Sequence, residues 1–317
     1  MFKKVNFSKR VVIKDATLRE GLDVPDIRFS FEQKLNIAEG IDRAKVPEIE
    51  VVAPGNVLQD LEFVKKLKGR GLSMRTSGLV YSFNRQAREE IKEASKYLNR
   101  LDLLMPLSQK RKPYGPTDKM SLLLDALVFS LHRFPEVGVG FPHAGQIEIE
   151  FLLNISAEAV RQGAKRVTLY DTNGSLDPFE VYHLMKKLKE ALEVPLFFHG
   201  HNDLGMATAN SLAAVYAGAQ GLDVTVNGLG DRAGNASLEQ VVLGLHLKGF
   251  ETGIPLQNLK RLSETVEKES GLSIPKLAPV VGAYISVHKS PGHLECPELF
   301  EAFDPHLVGS ERKLCRE

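Results

Sequence analysis

The chain contains little cysteine and no long apolar run, and both shortages restrict where it can work. Its 317 residues include two cysteines, Cys296 and Cys315, and no tryptophan. Two cysteines cannot build a disulfide framework, so we expect a reducing compartment, the cytoplasm. No stretch approaches the ~20 apolar residues of a membrane span, and the basic start, residues 1–10, lacks the apolar segment of a signal peptide.

Charge of either sign is not in excess. Lys and Arg number 41 against 40 Asp and Glu, which gives a formal net charge of +1. This balance gives no bulk attraction to nucleic acid or to an anionic membrane, so we expect neither as a partner. The hydrophobic fraction of 43% is ordinary for a globular protein that buries a full core. An enzyme acting on small molecules is the default expectation.

Short apolar runs rich in β-branched residues alternate with longer segments of helical periodicity. The eight runs are residues 10–15, 47–52, 73–80, 101–106, 137–141, 166–172, 195–201 and 222–229. Such alternation favours βαβ units and a parallel sheet, and eight units of about 30 residues fit a (β/α)8 TIM barrel. A doubly wound open sheet is the alternative.

The repeats stop near residue 254. We therefore predict a TIM-barrel catalytic domain over residues 1–254. Residues 255–317 would form a short helical and irregular extension, with one helical pattern and an end rich in Pro and His. This extension would pack on the barrel or on a partner subunit.

Polar residues cluster where four of the predicted strands end. The segments read "DATLREG" (15–21), "DTNG" (171–174), "HGHND" (199–203) and "NGLGDRAGN" (227–235). In a TIM barrel the active site is built at the carboxyl ends of the strands, so all four segments would converge on one mouth.

The two histidines of "HGHND" are the clearest candidates for chemistry. His199 and His201 are two apart on a strand, so both side chains point to the same side. Two imidazoles on one face suit a divalent metal, with Glu20 and Asn235 available as oxygen ligands. Arg19, beside Glu20, would stabilise an anionic intermediate. A polar strand end and a structural ion pair are the plainer alternatives.

At these residues the sequence resembles the DRE-TIM metallolyases, which include the isopropylmalate, homocitrate and citramalate synthases, hydroxymethylglutaryl-CoA lyase and related aldolases. The Asp-Arg-Glu signature is Asp15, Arg19 and Glu20, and residues 199–219 and 226–242 resemble two further signatures. The resemblance implies a divalent metal (Mg²⁺, Mn²⁺ or Zn²⁺) held by Glu20, His199 and His201, with Asn235 as a further ligand. It also implies that Arg19 stabilises the enolate or polarised carbonyl and that Thr172 binds the substrate carboxylate.

The activity that the resemblance implies is a Claisen-type condensation of an acyl-CoA, usually acetyl-CoA, with a 2-oxo acid. Two departures from the family keep a lyase or aldolase open as the alternative, cleaving a 3-hydroxyacyl-CoA or a 4-hydroxy-2-oxo acid. Asp23 lies in the stretch where members usually carry a glutamine, and we predict that it contacts substrate. After strand 5 the usual acidic residue is missing, so His143 in "FPHAGQ", the nearest ionisable group, is a candidate catalytic residue, with a plain turn histidine as the alternative. A barrel that binds metal and ligand without turnover is the third possibility.

The C-terminal extension resembles the segment that follows the barrel in the synthases. There it crosses to the partner subunit of a dimer and supplies a histidine. We therefore predict a homodimer in which His288 or His293 acts as acid or base. A segment that only packs on its own barrel is the alternative.

Overall fold

The structure, a computed structural model, describes residues 10–108 and 114–315. The basic start of the sequence, apart from Arg10, lies outside the described residues. The strands are β1 (Val12–Asp15), β2 (Glu48–Val52), β3 (Arg75–Tyr81), β4 (Arg100–Leu104), β5 (Val137–Pro142), β6 (Arg166–Asp171), β7 (Leu196–Gly200), β8 (Gly221–Val224), β9 (Val287–His288) and β10 (Lys313–Leu314).

Helices follow the strands around the molecule. They are α1 (Thr17–Glu20), α2 (Phe31–Arg43), α3 (Val57–Gly69), α4 (Ala87–Ala94), α5 (Pro116–Leu131), α6 (Ile149–Arg161), α7 (Pro178–Ala191), α8 (Ala207–Tyr216), α9 (Leu238–Leu247), α10 (Leu259–Ser270) and α11 (Pro291–Glu295). Short 3-10 turns cover Gly21–Asp23, Ala144–Gln146, Val226–Gly228, Leu256–Asn258, Pro297–Phe300 and Pro305–Val308.

The first eight strands close into a parallel barrel. They are hydrogen-bonded in chain order from β1 to β8, and β1 also pairs in parallel with β8, with Val12 opposite Gly221 and Asp15 opposite Val224. The predicted (β/α)8 TIM barrel is confirmed, and the open doubly wound sheet is excluded because the barrel has no free edge. Each of the eight predicted strand runs overlaps one of these strands.

Local sequence signals set the helix boundaries. Ser30 caps α2: its side chain accepts from the Gln33 backbone N–H while the Gln33 side chain accepts from the Ser30 N–H. Asp177 caps α7 in the same manner, followed by Pro178 at the first helical position. These caps place each helix start directly after the loop that carries the polar residues of the mouth.

The barrel interior is charged as well as apolar. Near the amino ends of the strands, two carboxylates and two guanidiniums form a lower cluster: Glu48, Arg100, Asp102 and Arg166. Arg166 donates to Glu48 Oε1 at 3.0 Å, its Nε donates to Asp102 at 3.1 Å, and Arg100 donates to Glu48 at 2.9 Å. A Cβ at Gly138 would lie 2.0 Å from Asp102 Oδ1, so only glycine leaves room for this cluster.

The C-terminal extension begins as part of the barrel wall. In α10, Leu259, Leu262 and Val266 are buried in the same apolar core as the strands, and α10 packs on α2. Further along, β9 pairs with β10, and Val308 is fully buried. The domain boundary at residue 254 stays a prediction. The eight strand–helix repeats end there, but the apolar core continues into the extension.

None of the helices within residues 10–108 and 114–315 is both long and apolar enough to span a membrane.

Candidate metal centre and active site

The loop after β1 is anchored so that its charged residues reach the mouth of the barrel. Asp15 accepts from the Thr17 backbone N–H at 3.0 Å and from the Thr17 hydroxyl at 2.8 Å. The Thr17 hydroxyl in turn accepts from the Val226 N–H at 2.9 Å, which ties this loop to the loop after β8. Burial raises the pKa of Asp15 to about 7. The short buried helix α1 then places Arg19 and Glu20 at the mouth.

Glu20, His199 and His201 converge on one point. The His199 Nε2 atom lies 3.2 Å from Glu20 Oε1 and 3.3 Å from His201 Nε2, and His201 Nε2 lies 3.9 Å from Glu20 Oε1. All three residues are buried. Ligand atoms about 2.1 Å from a common ion, in tetrahedral or octahedral arrangement, lie about 3.0–3.4 Å apart. Two of the three separations lie in this range and the third, 3.9 Å, is longer, so the three side chains are close enough together to hold a divalent metal.

Asn235 supplies a second test of this fit. Its Oδ1 is buried without a hydrogen-bond partner among the described residues, and its Nδ2 lies 3.0 Å from His199 Nε2. A half-turn of the Asn235 side-chain amide exchanges its oxygen and nitrogen, and this would place the oxygen beside His199. A Cβ at Gly230 would lie 1.9 Å from this amide, so glycine is required beside it. The donor set is thus two nitrogens and two oxygens.

The protonation states suit metal binding. Burial pushes the pKa of Glu20 upward, but Arg19 and His199 outweigh it and hold the pKa well below its usual range, so the carboxylate is ionised. Burial and the neighbouring His199 lower the pKa of His201 to about 3, which keeps that imidazole neutral. Burial lowers the pKa of His199 as well, but Asp223 and Glu20 together raise it. A positive charge at this point, proton or metal, is therefore stabilised.

Arg19 is held by two carboxylates, and one of its nitrogen donors has no partner. Its Nη1 pairs with Glu20 and its Nε donates to Glu50 at 2.7 Å. Its Nη2 is buried and has no hydrogen-bond partner among the described residues. Burial lowers the pKa of Arg19, but Glu20 and Glu50 outweigh burial and raise the pKa above its ordinary value, so the guanidinium is permanently charged. This geometry leaves Nη2 for a ligand in the mouth.

A cavity of about 280 Å³ opens over these residues. Asp23, His143 and Thr172 line it together with Arg19 and the three metal-ligand candidates. Its other lining residues are Ala53, Pro54, Leu79, Tyr81, Leu104, Pro142, Tyr170, Asp231 and Arg232. The lining therefore combines charged side chains with apolar and aromatic ones, as is typical of sites for small molecules.

Thr172 and His143 are joined. The Thr172 hydroxyl oxygen accepts from the His143 backbone N–H at 2.9 Å, and His143 Nδ1 lies 3.2 Å from Asn173 Oδ1. His143 has a left-handed backbone conformation with φ 63°, which is uncommon for a residue with a Cβ. Asp23 lies nearby, and burial and Glu20 raise its pKa.

The two candidate histidines of the extension do not line this cavity in the single chain. They form a relay of their own: His288 Nε2 lies 3.0 Å from Glu301 Oε1, and His288 Nδ1 lies 3.3 Å from His293 Nδ1. Arg312 holds Glu301 through two hydrogen bonds, at 2.8 and 2.7 Å. His293 stacks on Phe300 with the ring centroids 3.8 Å apart.

Three charged residues of the site are missing from the sequence-based prediction. Glu50 orients Arg19, and Asp223 Oδ2 lies 3.5 Å from His199 Nδ1. Arg232 donates to Asp203 and, at 2.7 Å, to the Thr172 carbonyl oxygen. A carboxylate inside the apolar runs "EIEVV" and "LDV" was the available signal for the first two, since buried charges need a partner.

Comparisons with known proteins show which proteins this chain is similar to. The model of the HMGL-like family matches residues 10–266. Homocitrate synthase 1 of Nostoc sp. is 35% identical over 315 residues, covering 96% of this chain and 82% of that protein. 2-Isopropylmalate synthase 2 of Caldanaerobacter subterraneus is 33% identical over 326 residues, covering 99% and 82%.

Among solved structures, the HMG-CoA lyase of Bacillus subtilis is similar with a TM-score of 0.73. The two chains are 21% identical, and the match covers 86% of this chain and 97% of the lyase. At that identity the likeness supports the barrel fold alone.

Proposed function

Since the chain belongs to the HMGL-like family, as its DRE-TIM motifs predict, we propose that it is a metal-dependent enzyme that condenses an acyl-CoA with a 2-oxo acid. Acetyl-CoA is the proposed acyl donor. The two relatives described above, at 35% and 33% identity, are named as a homocitrate synthase and a 2-isopropylmalate synthase, which favours condensation over cleavage. The lyase or aldolase reaction remains the second candidate, because the family also contains HMG-CoA lyases.

One observation carries the proposal: the donors of Glu20, His199 and His201 meet beside the unpartnered Nη2 of Arg19, under a cavity large enough for a small acid. When bound there, a divalent ion would act as Lewis acid and template for the keto and carboxylate oxygens of the 2-oxo acid. Nitrogen and oxygen ligands without thiolate suit Mg²⁺, Mn²⁺ or Zn²⁺.

The protein's own residues then divide the remaining work. A base removes a methyl proton from the acyl-CoA, and the resulting carbanion forms a bond to the keto carbon of the 2-oxo acid. Arg19 Nη2 stabilises the negative charge that develops on the keto oxygen, which finally takes up a proton. The Thr172 hydroxyl, which already accepts from the His143 backbone N–H, donates a hydrogen bond to the substrate carboxylate. Water then hydrolyses the thioester and free CoA leaves.

For the base we favour His293 over His288. His288 is buried, and both of its ring nitrogens are engaged, by Glu301 and by His293. Glu301 therefore orients His288, which accepts from the Nδ1–H of His293 and leaves Nε2 of His293 as the basic atom. His143, which lines the cavity, is the alternative base. His293→Ala should lower kcat by ~10²-fold or more with metal retained, and His306→Ala, an exposed neighbour, is the control.

A homodimer would bring this relay to a barrel mouth. Several large apolar side chains of the extension are exposed in the single chain, among them Leu277 at 82%, Leu299 at 78% and Phe300 at 52%. Such a surface is typical of a protein interface. We propose that a second copy covers it and receives His293 in its active site, with the catalytic barrel over residues 1–254 and the extension over 255–317. Sedimentation of wild type and Leu299→Glu tests this, because a monomeric wild type would contradict it.

We also place the enzyme in the cytoplasm. Cys296 and Cys315 are both free thiols in the structure, and Cys315 is exposed. Unpaired, accessible thiols are typical of proteins in reducing compartments.

The assay that tests the function supplies acetyl-CoA with a panel of 2-oxo acids and follows the release of free thiol. We expect release that depends on one 2-oxo acid and on added divalent metal, and that stops with a chelator. A second panel, of 3-hydroxyacyl-CoA esters and 4-hydroxy-2-oxo acids, is followed for acetyl-CoA or pyruvate. Turnover in the second panel alone would establish the lyase instead.

A further inference from the structure

Lys14 lies in the interior of the barrel, directly beneath the metal centre, with no exposed side-chain surface. It is not among the residues that line the cavity, so it does not contact a ligand bound there. Burial lowers the pKa of Lys14, but the neighbouring carboxylates outweigh burial and raise it well above its ordinary value. The ammonium is therefore charged.

Lys14 has two close carboxylate contacts, one in each half of the active site, and a longer one, of 3.6 Å, to Asp102 of the lower cluster. Its Nζ lies 2.5 Å from Glu50 Oε2, and the other oxygen of Glu50 accepts from Arg19 Nε at 2.7 Å. The same Nζ lies 2.8 Å from Asp223 Oδ2, which lies 3.5 Å from His199 Nδ1. One lysine thus touches the carboxylate behind the guanidinium and the carboxylate behind a metal ligand.

These contacts close into a circuit of six side chains, which we call the charge ring. Its members in order are Glu20, Arg19, Glu50, Lys14, Asp223 and His199, and His199 returns to Glu20 at 3.2 Å. In this ring Lys14 is the cation opposite the metal-binding side.

We propose that Lys14 is a positioning residue for the metal centre, which fixes the His199 imidazole through Asp223 and the Arg19 guanidinium through Glu50. This inference rests on the metal site of the proposed function. Asp223 Oδ2 faces His199 Nδ1 at 3.5 Å, where it can hold the Nδ1–H tautomer and so direct Nε2 to a metal, and Lys14 Nζ fixes that same oxygen at 2.8 Å. Glu50 is likewise held by Lys14 at one oxygen while the other oxygen accepts from Arg19.

A buried cation with a purely structural role would behave differently. Arg166 of the lower cluster is such a case: its partners Glu48 and Asp102 contact neither Arg19 nor a metal-ligand candidate, and Asp102 approaches the charge ring at Lys14, 3.6 Å away. Removing either cation takes one partner from two buried carboxylates and destabilises the fold. Only the removal of Lys14 should also alter the metal site.

The test measures the dissociation constant of Mn²⁺ for metal-free protein by calorimetry, in folded Lys14→Met and in the matched control Arg166→Met. We expect Lys14→Met to bind Mn²⁺ ~10–100-fold more weakly than wild type, as is typical when the support of a ligand is lost. The control should stay within about threefold of wild type. Arg100→Met replaces the control if Arg166→Met does not fold. Equal weakening in Lys14→Met and the control, or wild-type affinity in Lys14→Met, would overturn the role of Lys14.

A comparison of a double variant with a single variant keeps the test decisive if Lys14→Met alone is insoluble. Lys14→Met with Asp223→Asn removes one buried charge of each sign, so it is better tolerated than the single change. Because Lys14 acts on the metal through Asp223, the double variant should bind Mn²⁺ no more weakly than Asp223→Asn alone. A further tenfold loss in the double variant would contradict this route. Wild-type protein that bound no Mn²⁺ would instead overturn the metal site itself, whereas the thiol-release assay judges the condensation separately.

Discussion

The lower cluster and the mouth both bury charged side chains inside the barrel, but the two ends differ in whether the buried polar atoms have partners. In the lower cluster each of the four charged groups has an oppositely charged partner, with Arg166 shared between Glu48 and Asp102. At the mouth, Arg19 Nη2, Asn235 Oδ1 and the Tyr170 hydroxyl are buried without a hydrogen-bond partner among the described residues. Since unsatisfied buried polar atoms are costly, their concentration at one end of the barrel indicates a site built for a ligand.

This comparison predicts that substitutions at the two ends will impair different properties of the protein. Changes at the mouth should remove metal or turnover and leave the fold intact. Changes in the lower cluster should reduce stability and leave the chemistry of the folded fraction intact.

The largest effect is expected from removing both imidazoles at the mouth. His199→Ala combined with His201→Ala deletes two of the three converging donors, so metal and turnover should both be lost. Elemental analysis of protein purified without chelator measures the metal, and thiol release measures the turnover. His246→Ala, an exposed position on α9, is the control. Full metal content in the double variant would contradict the assignment.

The lower cluster should respond through stability. Arg166→Met leaves Glu48 and Asp102 buried with less compensation, which should cost about 3–5 kcal/mol of unfolding free energy. Urea unfolding followed by circular dichroism measures this loss. The kcat of the folded fraction should stay near wild type, and a large fall in kcat would erase the distinction between the two ends.

Acid should act on the same cluster. Burial raises the pKa of Glu48, but Arg166 and Arg100 outweigh it and bring the pKa to about 2. The unfolded chain binds a proton near pH 4.5 and the folded chain does not, so this group stabilises the fold above that pH. Its contribution, about 3 kcal/mol, should be lost as the pH falls from about 4.5 to 2. Comparing the pH dependence of wild type with that of Glu48→Gln isolates it, and identical slopes would rule it out.

At the mouth, Arg19→Lys keeps the charge but loses the planar fork that Glu20 and Glu50 orient. We expect kcat to fall by ~10²-fold, about 2.7 kcal/mol, with metal content near that of wild type. Steady-state kinetics with saturating metal provide the measurement. If KM rose while kcat stayed constant, Arg19 would bind substrate and transition state equally.

The smallest effect should come from an ion pair outside both regions. Arg88 and Asp125 pair at 2.8 Å on the outer helices, where both side chains are more than half exposed. Their coupling in a double-mutant cycle should be at most about 1 kcal/mol and should weaken with salt. A coupling energy as large as the loss of about 3–5 kcal/mol expected for Arg166→Met would mean that burial does not explain the difference between the regions.

Much of the fold and part of the site follow from local sequence. Alternation of apolar runs and amphipathic segments predicts the eight strands, and the two-residue spacing of His199 and His201 predicts that they share a face. Ser30 caps the start of α2 through residues three apart in the chain. These features depend on neighbours within a few residues, where the backbone period alone decides which way a side chain points.

The sequence by itself determined the barrel, the strand ends that carry polar residues, and the identity of the metal-ligand candidates. The tertiary structure decided which charges meet. Lys14, Glu50 and Asp223 come from three different strands, and their contacts depend on the register between β1 and its neighbours β2 and β8. A shift of one residue in that register would turn each of these side chains away from the barrel interior, and no local pattern encodes it.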